Sequence, residues 1–424
     1  MPEANPRVGE YVYAAKVREL LKTHGEPPKE VYLDLENSGL VPPEVVEAML
    51  PYFNVRGYGH PSITHKKGWE ALEVLYETKE ILTKTLGARD VEEVEFTHSG
   101  TEANNLAVLG YLFAARGRGR KVIVSAVEHL SVIFPAEFAA KLLGYEVVKV
   151  PVDREGFVNP ELLKQYVDRE TVLVSIQAVN HEIGTVQPLR DLVDVAKSAN
   201  PNVVFHTDAA DALGWIPLNV ADLNVDMVTL SSHKIGGPRG VGALYVRDGV
   251  RLEPPIRGQL SGERLWPGVE NVPIIAGFKR ALELEFEDFD WKVSYVKGLR
   301  DKLIHGLLDR VPETIVNGPL GEKRVANNAN LSFLYVEGEA LTVELSMRGV
   351  YVSSGSACSS RILEPSHVLL AIGRKHEEAH GSILFKLSRH HKPEDVEYVI
   401  ESVPEAVSRL RALSSWRSAP SPPS

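Results

Sequence analysis

Short runs of apolar residues, many of them β-branched, alternate with amphipathic stretches between residues 90 and 250. Such runs are typical of buried strands, and apolar residues at three- and four-residue intervals are typical of helices. The predicted strands are Val94–Thr97, Val122–Ser125, Val147–Val150, Val172–Gln177, Val203–His206, Met227–Leu230 and Ala243–Val246. The predicted helices are Lys66–Leu86, Glu102–Ala115, Ser131–Leu143 and Leu189–Ala199. This alternation predicts an α/β fold with a mostly parallel sheet covered by helices.

The pattern changes after residue 271. Two long helices are predicted over Ile274–Glu287 and Trp291–Leu308, and a last helix is predicted near Glu394–Leu413. Strands are predicted between them, near Asn330–Tyr335 and Ser382–Leu387. We therefore expect a large domain over residues 51–272 and a smaller α+β domain over residues 273–413. Residues 1–50 are expected to join the smaller domain, and the Ser- and Pro-rich residues 414–424 are expected to be disordered.

Composition narrows the classes of function. The chain is 44% hydrophobic and 25% charged, and its net charge of −10 comes from acidic and basic residues mixed along its length. These values are typical of soluble globular proteins and do not favour binding to nucleic acid or to an anionic membrane surface. No apolar stretch at the N-terminus resembles a signal peptide, so the cytoplasm is the expected location. The single cysteine, Cys358, excludes an internal disulfide and a cysteine-rich metal site.

Four polar motifs directly follow predicted strands, where ligands bind in parallel sheets. The first is the stretch from Phe96 to Asn105, in which a strand runs through small residues into a helix. The free amides at the start of that helix, together with the Thr101 hydroxyl, suit a phosphate group. Ser99 or Thr101 acting as an ordinary helix cap is the alternative interpretation.

The other three motifs contain Asp208, Lys234 and His129. Asp208 ends a buried strand, where a carboxylate is costly unless a cation such as a protonated pyridine nitrogen lies beside it. Lys234 lies between an apolar strand and a Gly-rich turn, so a desolvated amine there could act as a Schiff-base nucleophile or a proton shuttle. His129 could stack on an aromatic ring. Each residue alone also fits a structural role, as a turn cap or a core side chain. Together, at successive strand ends, they favour a pyridoxal-phosphate (PLP) site.

The chain resembles the NifS/IscS-type cysteine desulfurases of the class V aminotransferase group from about Tyr32 to Leu413. The resemblance depends on ten short blocks spread over nearly the whole chain, each of moderate specificity. These blocks are Tyr32-Leu-Asp34, Gly59-His-Pro-Ser62, Thr101-Glu-Ala-Asn-Asn105, Glu128-His129, Glu182-Ile-Gly-Thr-Val-Gln-Pro188, His206-Thr-Asp-Ala209, Ser231-Ser-His-Lys234, Gly268-Val-Glu-Asn271, Ser353-Ser-Gly-Ser-Ala-Cys358 and Glu364-Pro-Ser-His-Val-Leu369.

The resemblance implies the fold type I architecture of PLP-dependent transferases, a homodimer, and a role for each matched position. Lys234 would hold the cofactor through its amine, His129 would stack on the pyridine ring, and Asp208 would pair with the ring nitrogen. Cys358 would take the sulfur of L-cysteine as a persulfide, leaving L-alanine, and could pass it to an acceptor or scaffold protein of iron–sulfur cluster assembly. The positions implied for the cofactor phosphate are Gly100, Thr101, Ser231 and His233.

Several positions depart from the family pattern. His181 and Asp211 stand where the family has an Asn and a Gln that donate to the phenolic oxygen of the cofactor. Because an ionised Asp cannot donate, one hypothesis is that Asp211 pairs with His181, whose imidazolium donates instead. Leu384 replaces the arginine that holds the substrate carboxylate, and Lys386, two residues on along the same strand face, is a candidate to compensate.

Two further departures are Val269, in place of a Thr that reaches the phosphate of the neighbouring subunit, and Trp266, in place of an arginine. Leu384 and Trp266 favour a second interpretation, a transaminase or lyase of the same family with a different substrate. A third is a non-enzymatic scaffold or regulatory partner in sulfur handling. The presence of Lys234 and Asp208, together with His129, argues against that third interpretation.

Overall fold

The computed structural model describes residues 19, 20, 22, 24–258, 265, 267–354 and 365–413. The described strands are β1 (Val31–Tyr32), β2 (Val94–Thr97), β3 (Lys121–Ser125), β4 (Glu146–Val150), β5 (Thr171–Ser175), β6 (Val204–Asp208), β7 (Met227–Ser231), β8 (Gly242–Val246), β9 (Thr314–Val316), β10 (Asn328–Phe333), β11 (Val350–Tyr351) and β12 (Ser382–Lys386). The described α-helices from residue 43 to residue 223 are α1 (Pro43–Met49), α2 (Pro51–Asn54), α3 (Lys66–Leu86), α4 (Gly100–Asn105), α5 (Tyr111–Ala114), α6 (Leu130–Leu143), α7 (Pro160–Tyr166), α8 (Leu189–Ala199) and α9 (Val220–Leu223). Those that follow are α10 (Val272–Glu287), α11 (Phe289–Arg310), α12 (Gly338–Ser346), α13 (His367–Ala371), α14 (His376–His380) and α15 (Pro393–Leu413).

A seven-stranded sheet in the order β2-β8-β7-β6-β5-β3-β4 forms the centre of the protein. β8 runs antiparallel to both of its neighbours, while β7, β6, β5, β3 and β4 pair in parallel. Every residue of β5, β7 and β8 is buried. Strands buried on both faces carry continuous apolar runs because helices cover the sheet on both sides. The predicted α/β fold with a mostly parallel sheet is confirmed.

A second, antiparallel sheet in the order β12-β10-β9 lies in the C-terminal part of the chain. The long helices α11 and α15 pack against each other, and α11 also packs on β10. The N-terminal segment lies against this part, because β1 pairs in parallel with β11 and the Lys386 amide donates to the carbonyl of Leu33 at 2.8 Å. This pairing supports the expected contribution of residues 1–50 to the smaller unit, while the domain boundaries stay a prediction.

The helix that follows β2 differs from the single α-helix predicted over Glu102–Ala115. It runs from α4 through a π-helical stretch, Leu106–Gly110, into α5 without a break in helical backbone angles. Gly110 lets the chain at residue 253 approach closely, since a Cβ there would lie 3.3 Å from the carbonyl oxygen of Glu253. None of the described helices is both long and apolar enough to cross a membrane.

Candidate active site

The polar motifs at the carboxyl ends of β2, β6 and β7 meet at one edge of the central sheet. β8 is antiparallel, so β2 points the same way as β7 and β6 and all three end at that edge. Asn104, just inside the helix after β2, donates to Asp208 at the end of β6 at 2.7 Å. A Cβ on Gly100 would lie 3.0 Å from the Cβ of Ser231 at the end of β7. The sequence motifs therefore form one site.

Asp208 is a buried carboxylate held only by neutral donors. Its Oδ2 accepts from the Asn104 side chain and its Oδ1 accepts from the amide of Ala210 at 3.0 Å. Burial raises the pKa of Asp208 above its usual range, although the two hydrogen bonds oppose the shift. No lysine or arginine in the described part of the chain forms an ion pair with this carboxylate. A buried carboxylate of this kind is suited to a cationic ligand, and a protonated ring nitrogen is such a ligand.

A hydrogen-bond network connects Asp208 with His129, the residue that caps α6. The Asn104 amide donates to Asp208 and also to Ser131 Oγ at 2.8 Å. The Ser131 amide donates to His129 Nδ1 at 3.1 Å, so the proton of a neutral ring lies on Nε2. Asn104 and Ser131 were not predicted as site residues. Asn104 lies inside a recognised block, but only the fold shows that its side chain points to Asp208.

The start of α4 and the end of β7 form a cradle that a phosphate would fit. Ser99 Oγ accepts from the Glu102 amide, and no hydrogen bond among the described residues uses the amides of Gly100 and Thr101. Ser231 Oγ lies 2.9 Å from His233 Nδ1. Any side chain at position 100 would crowd Ser231, so glycine leaves the cradle open.

Of the cradle side chains, only His233 could carry a positive charge, while Thr101 and Ser231 offer hydroxyl groups. Burial, and then the charge of Lys234, lowers the pKa of His233 to about 4, so its ring is neutral near pH 7. The Thr101 side chain is exposed at the rim. Anion binding at this position therefore depends on the free amides and on the helix N-terminus rather than on a cationic side chain.

Lys234 lies in a buried network of two amines and two carboxylates. Its Nζ donates to Glu36 and lies 3.2 Å from Asp211 Oδ2. Lys386 Nζ donates to Asp211 Oδ1 and lies 2.8 Å from Glu36 Oε2. All four side chains are at most 11% exposed. Lys234, Asp211 and Lys386 were singled out from the sequence, whereas Glu36, which is 198 residues from Lys234 along the chain, was not.

The ion pairs in this network keep both Lys234 and Asp211 charged. Burial lowers the pKa of Lys234, but the charges of Asp211 and Glu36 outweigh burial and raise it above the ordinary lysine value. Burial raises the pKa of Asp211, but Lys234 and Lys386 together hold it well below its usual range. In the absence of a bound cofactor, the Lys234 amine is therefore an ammonium, and it must lose a proton before it can act as a nucleophile.

Removing one cation from this network is expected to destabilise the protein. Lys386→Met leaves Glu36 and Asp211 with one amine between them, so the free energy of unfolding of the cofactor-free protein should fall by about 3–5 kcal/mol. Urea denaturation measures this change. Lys302→Met, which breaks an exposed pair with Glu397, is the matched control and should cost less than about 1 kcal/mol. An equal effect of the two changes would contradict the prediction.

The sequence comparison with known proteins decides the family. Residues 31–399 match the family model described as Aminotransferase class-V. The chain belongs to the class V aminotransferase family. It is 42% identical to cysteine desulfurase IscS of Dictyoglomus turgidum over 389 residues, which are 92% of this chain and 97% of that relative. It is also 42% identical to cysteine desulfurase IscS 1 of Archaeoglobus fulgidus over 383 residues, which are 90% of this chain and 98% of that relative. The resemblance to the NifS/IscS type is confirmed.

Solved structures give the same result for the fold. A NifS-like protein superposes with a TM-score of 0.83 at 33% identity, covering 90% of this chain and all of that chain. A structure described as SspA in complex with cysteine superposes with a TM-score of 0.74 at 30% identity, covering 85% of this chain and 99% of that chain. The expected fold type I architecture of the class V family is confirmed.

The expected pair between Asp211 and His181 is wrong. Both oxygens of Asp211 are engaged by lysines, and the side-chain contact of His181 Nδ1 is instead with Gln177 Oε1 at 3.5 Å. The His181 ring meets the His129 ring edge-on, with centroids 5.1 Å apart. Desolvation, and then the neighbouring His129, lowers the pKa of His181 well below 6.5. His181 is therefore a neutral ring, which can still donate one hydrogen bond.

The other positions that depart from the class V pattern have different surroundings. Leu384 is buried in β12, and its amide donates to the carbonyl of Ser353 at 2.8 Å. The charge of Lys386 is already paired with two carboxylates, so it is not a free substitute for the missing arginine. The Val269 side chain is 62% exposed. Trp266 and Cys358 lie outside the described residues.

The chain on either side of residues 355–364 is fixed close to the site. On one side, Ser353 and Leu384 form a β-bridge. On the other, Ser366 Oγ donates to the buried Glu182 at 2.5 Å. His367 Nε2 donates to the Glu128 carbonyl, next to His129, at 2.9 Å. The chain after residue 364 is therefore held beside His129 and His181, and the chain before residue 355 is held by β12, which carries Lys386.

Proposed function

We propose that this protein is a PLP-dependent cysteine desulfurase that converts L-cysteine to L-alanine and receives the sulfur on Cys358. The observation that carries the proposal is the relative position of two residues. Asp208, a buried carboxylate without a cationic partner, ends one strand, and Lys234 follows the end of the adjacent strand. Among the described residues, no lysine or arginine forms an ion pair with Asp208. The similarity to relatives named cysteine desulfurase supports the choice of reaction.

The residues of the site fit this cofactor. Asp208 would face the ring nitrogen, His129 would cover one ring face, and Lys234 would hold the aldehyde carbon. His181 would donate to the phenolic oxygen, while Asp211 would act through its ion pair with Lys234. The phosphate would lie in the cradle of Gly100, Thr101, Ser231 and His233. When bound, the cofactor supplies an electron sink for the bonds of the substrate α-carbon.

Three residues would move the atoms and protons of the reaction. Lys234 Nζ, once neutral, takes and returns a proton at the substrate α-carbon. His129 holds a proton on Nε2 beside the site. The Cys358 thiolate attacks the substrate sulfur, so that a sulfur–sulfur bond forms and the carbon–sulfur bond breaks. The electron pair of the broken bond stays on carbon, which is protonated to the methyl group of alanine, and Cys358 is left as a persulfide.

Replacing Cys358 tests this assignment. Wild-type protein loaded with PLP and incubated with L-cysteine and a thiol reductant should release sulfide and alanine in equal amounts. Cys358→Ala should lose sulfide release by at least about 100-fold because no other cysteine is available as the nucleophile. Its visible absorbance should stay that of the cofactor-loaded protein, which serves as the control for folding. Persistent sulfide release by Cys358→Ala would exclude this residue as the nucleophile.

A transaminase or lyase acting on a different substrate is the second candidate function. It is favoured by the buried Leu384 and by the pairing of Lys386, which leave no free cation on β12 for a substrate carboxylate. If wild-type protein formed no alanine from L-cysteine but converted another amino acid with a 2-oxo acid as acceptor, this second function would replace the first. The amino-acid products can be separated by chromatography.

The assembly of the protein is also a proposal. We infer a homodimer and a sulfur-acceptor protein from membership of the cysteine desulfurase type. Val269 is an exposed apolar residue in the segment expected to reach the neighbouring subunit. Light scattering of the purified protein should give twice the chain mass of 46.8 kDa. A monomer would contradict the homodimer.

A further inference from the structure

Glu36 is a buried carboxylate that contacts both amines of the active-site network. It is 9% exposed and lies between Lys234 and Lys386. The turn that follows it is pressed against the lysine-bearing segment, because a Cβ on Gly39 would collide with the carbonyl of His233. The Tyr32 hydroxyl donates to the Ser38 carbonyl at 2.9 Å and holds the same turn from the other side. Glu36 is therefore fixed in position against Lys234.

The charges of this network balance only while Lys234 is an ammonium. Glu36 and Asp211 carry two negative charges, and Lys234 and Lys386 carry two positive charges. An amine must be neutral to act as a nucleophile, and a neutral Lys234 leaves one negative charge in excess. A carboxylate removed from water is costly without a cation or a proton. The excess charge is therefore a binding site for the next cation that enters.

Glu36 depends more on Lys234 than Asp211 does, because Lys234 Nζ donates to Glu36 but lies 3.2 Å from Asp211, while Glu36 keeps only the 2.8 Å contact with Lys386. Lys386 is almost completely buried, and its Nζ donates to Asp211 and holds that carboxylate in its ionised state. Glu36 Oε1 is the acceptor for Lys234 and loses this partner when the lysine becomes neutral. A cavity of about 90 Å³ borders Lys234, Lys386 and Gly39, which is enough space for water beside the two lysines.

We propose that Glu36 is the residue that binds the ammonium group of the amino-acid substrate. The ionised carboxylate then holds the ammonium of the incoming substrate where the lysine amine had been. The substrate nitrogen and Lys234 Nζ would occupy neighbouring positions, because the substrate amine would replace the Lys234 amine at the aldehyde carbon of the cofactor. This inference rests on the proposed function and adds to it a residue that selects for a free amino group.

The first test uses cofactor-free protein and no turnover. Glu36→Gln removes one of the two carboxylates that keep Lys234 protonated, so the fraction of neutral amine at pH 7 should increase. The rate of covalent PLP attachment, followed by visible absorbance, should rise about tenfold, the change expected for one pKa unit. Glu47→Gln, an exposed residue of α1, is the matched control and should leave the rate unchanged. An unchanged or slower rate for Glu36→Gln would overturn the role of Glu36 in keeping the Lys234 amine protonated.

The second test separates binding of the ammonium from a structural role. In PLP-loaded protein, Glu36→Gln should raise the dissociation constant of L-cysteine on the order of tenfold, since a charge-assisted hydrogen bond is lost. The constant for 3-mercaptopropionate, which lacks the amino group, should change less than about twofold. Glu36→Asp, which keeps the charge, should restore part of the L-cysteine affinity. Equal weakening of both ligands would mean a structural role and would overturn the proposal.

These binding measurements also separate the inference from the proposed function. Wild-type protein that binds L-cysteine without releasing sulfide would contradict the desulfurase function. The dissociation constants of L-cysteine and 3-mercaptopropionate would still show whether Glu36 prefers ligands that carry an ammonium group. If Glu36→Gln does not fold, Glu36→Asp decides the question alone. L-cysteine affinity as high in Glu36→Asp as in wild type, despite the shorter side chain, would overturn the contact.

Discussion

Lys234→Ala is expected to abolish covalent attachment of the cofactor and to lower alanine formation from L-cysteine about 1,000-fold. The amine of Lys234 is the proposed nucleophile of the site, and the same amine is proposed to move the proton at the substrate α-carbon. Borohydride reduction followed by mass spectrometry should show the pyridoxyl-phosphate mass on residue 234 of the wild type and no such mass on the variant. Lys323→Ala, at a 68% exposed side chain, is the control and should keep both properties.

Covalent attachment to another lysine in Lys234→Ala would contradict this assignment. Lys386 is the nearest alternative, but its charge is held by Glu36 and Asp211. The pH dependence gives an independent check. The acidic neighbours raise the pKa of Lys234, so the neutral fraction of the amine grows as the pH rises above 7. The rate of attachment should therefore increase between about pH 7 and pH 9, and a rate that falls over this range would contradict the protonated amine.

Sequence patterns predicted the elements of the central sheet because those elements depend on local alternation of apolar and polar residues. The bounds of β2, α3 and α8 agree with the prediction at both ends. The polar motifs were also predicted to meet, since parallel strands end at one edge of a sheet. The π-helical stretch Leu106–Gly110 was not predicted. It keeps the same apolar character as an α-helix, so periodicity gives no signal for it.

The buried network of two lysines and two carboxylates could not be predicted from local sequence patterns. Glu36, Asp211 and Lys386 come from three separate parts of the chain and meet only because β1 and β12 lie beside the turn after β7. The hypothesis of an Asp211–His181 pair considered two neighbouring motifs and did not include a second lysine. A lysine amine is a stronger base than an imidazole, so it keeps its proton next to a carboxylate where the histidine stays neutral.

The same limit applies to Asn104 and Ser131. Both are polar residues of common types within helices, so neither residue by itself indicates a role in a site. Their function in the site follows from Asn104 donating to two acceptors, Asp208 and Ser131, across different elements. The residues proposed to contact the cofactor were named from sequence motifs, whereas Asn104 and Ser131 could be placed in the site only from the three-dimensional structure.

Asp208→Asn is expected to lower the rate of alanine formation on the order of 100- to 1,000-fold while leaving the cofactor-free protein as stable as the wild type or more stable. The amide has nearly the shape of the carboxylate, and Asn104 Oδ1, which has no partner among the described residues, can accept from it after a flip of the Asn104 amide. The lost activity reflects the missing charge beside the ring nitrogen. Asp208→Glu should recover part of the activity because it keeps the charge.

The free energies of unfolding of the wild type and of Asp208→Asn should differ increasingly as the pH rises. Burial raises the folded-state pKa of Asp208 above its unfolded value, so ionisation is opposed in the folded protein. The wild-type protein therefore loses free energy of unfolding, relative to Asp208→Asn, as the pH rises through and above the unfolded pKa of the carboxyl group. Urea denaturation of both cofactor-free proteins at two pH values measures this difference.

Added PLP should reverse this difference in stability, because a cationic ring nitrogen stabilises the ionised carboxylate of the wild type alone. Equal stabilisation of both proteins by PLP would mean that Asp208 does not pair with the ring nitrogen.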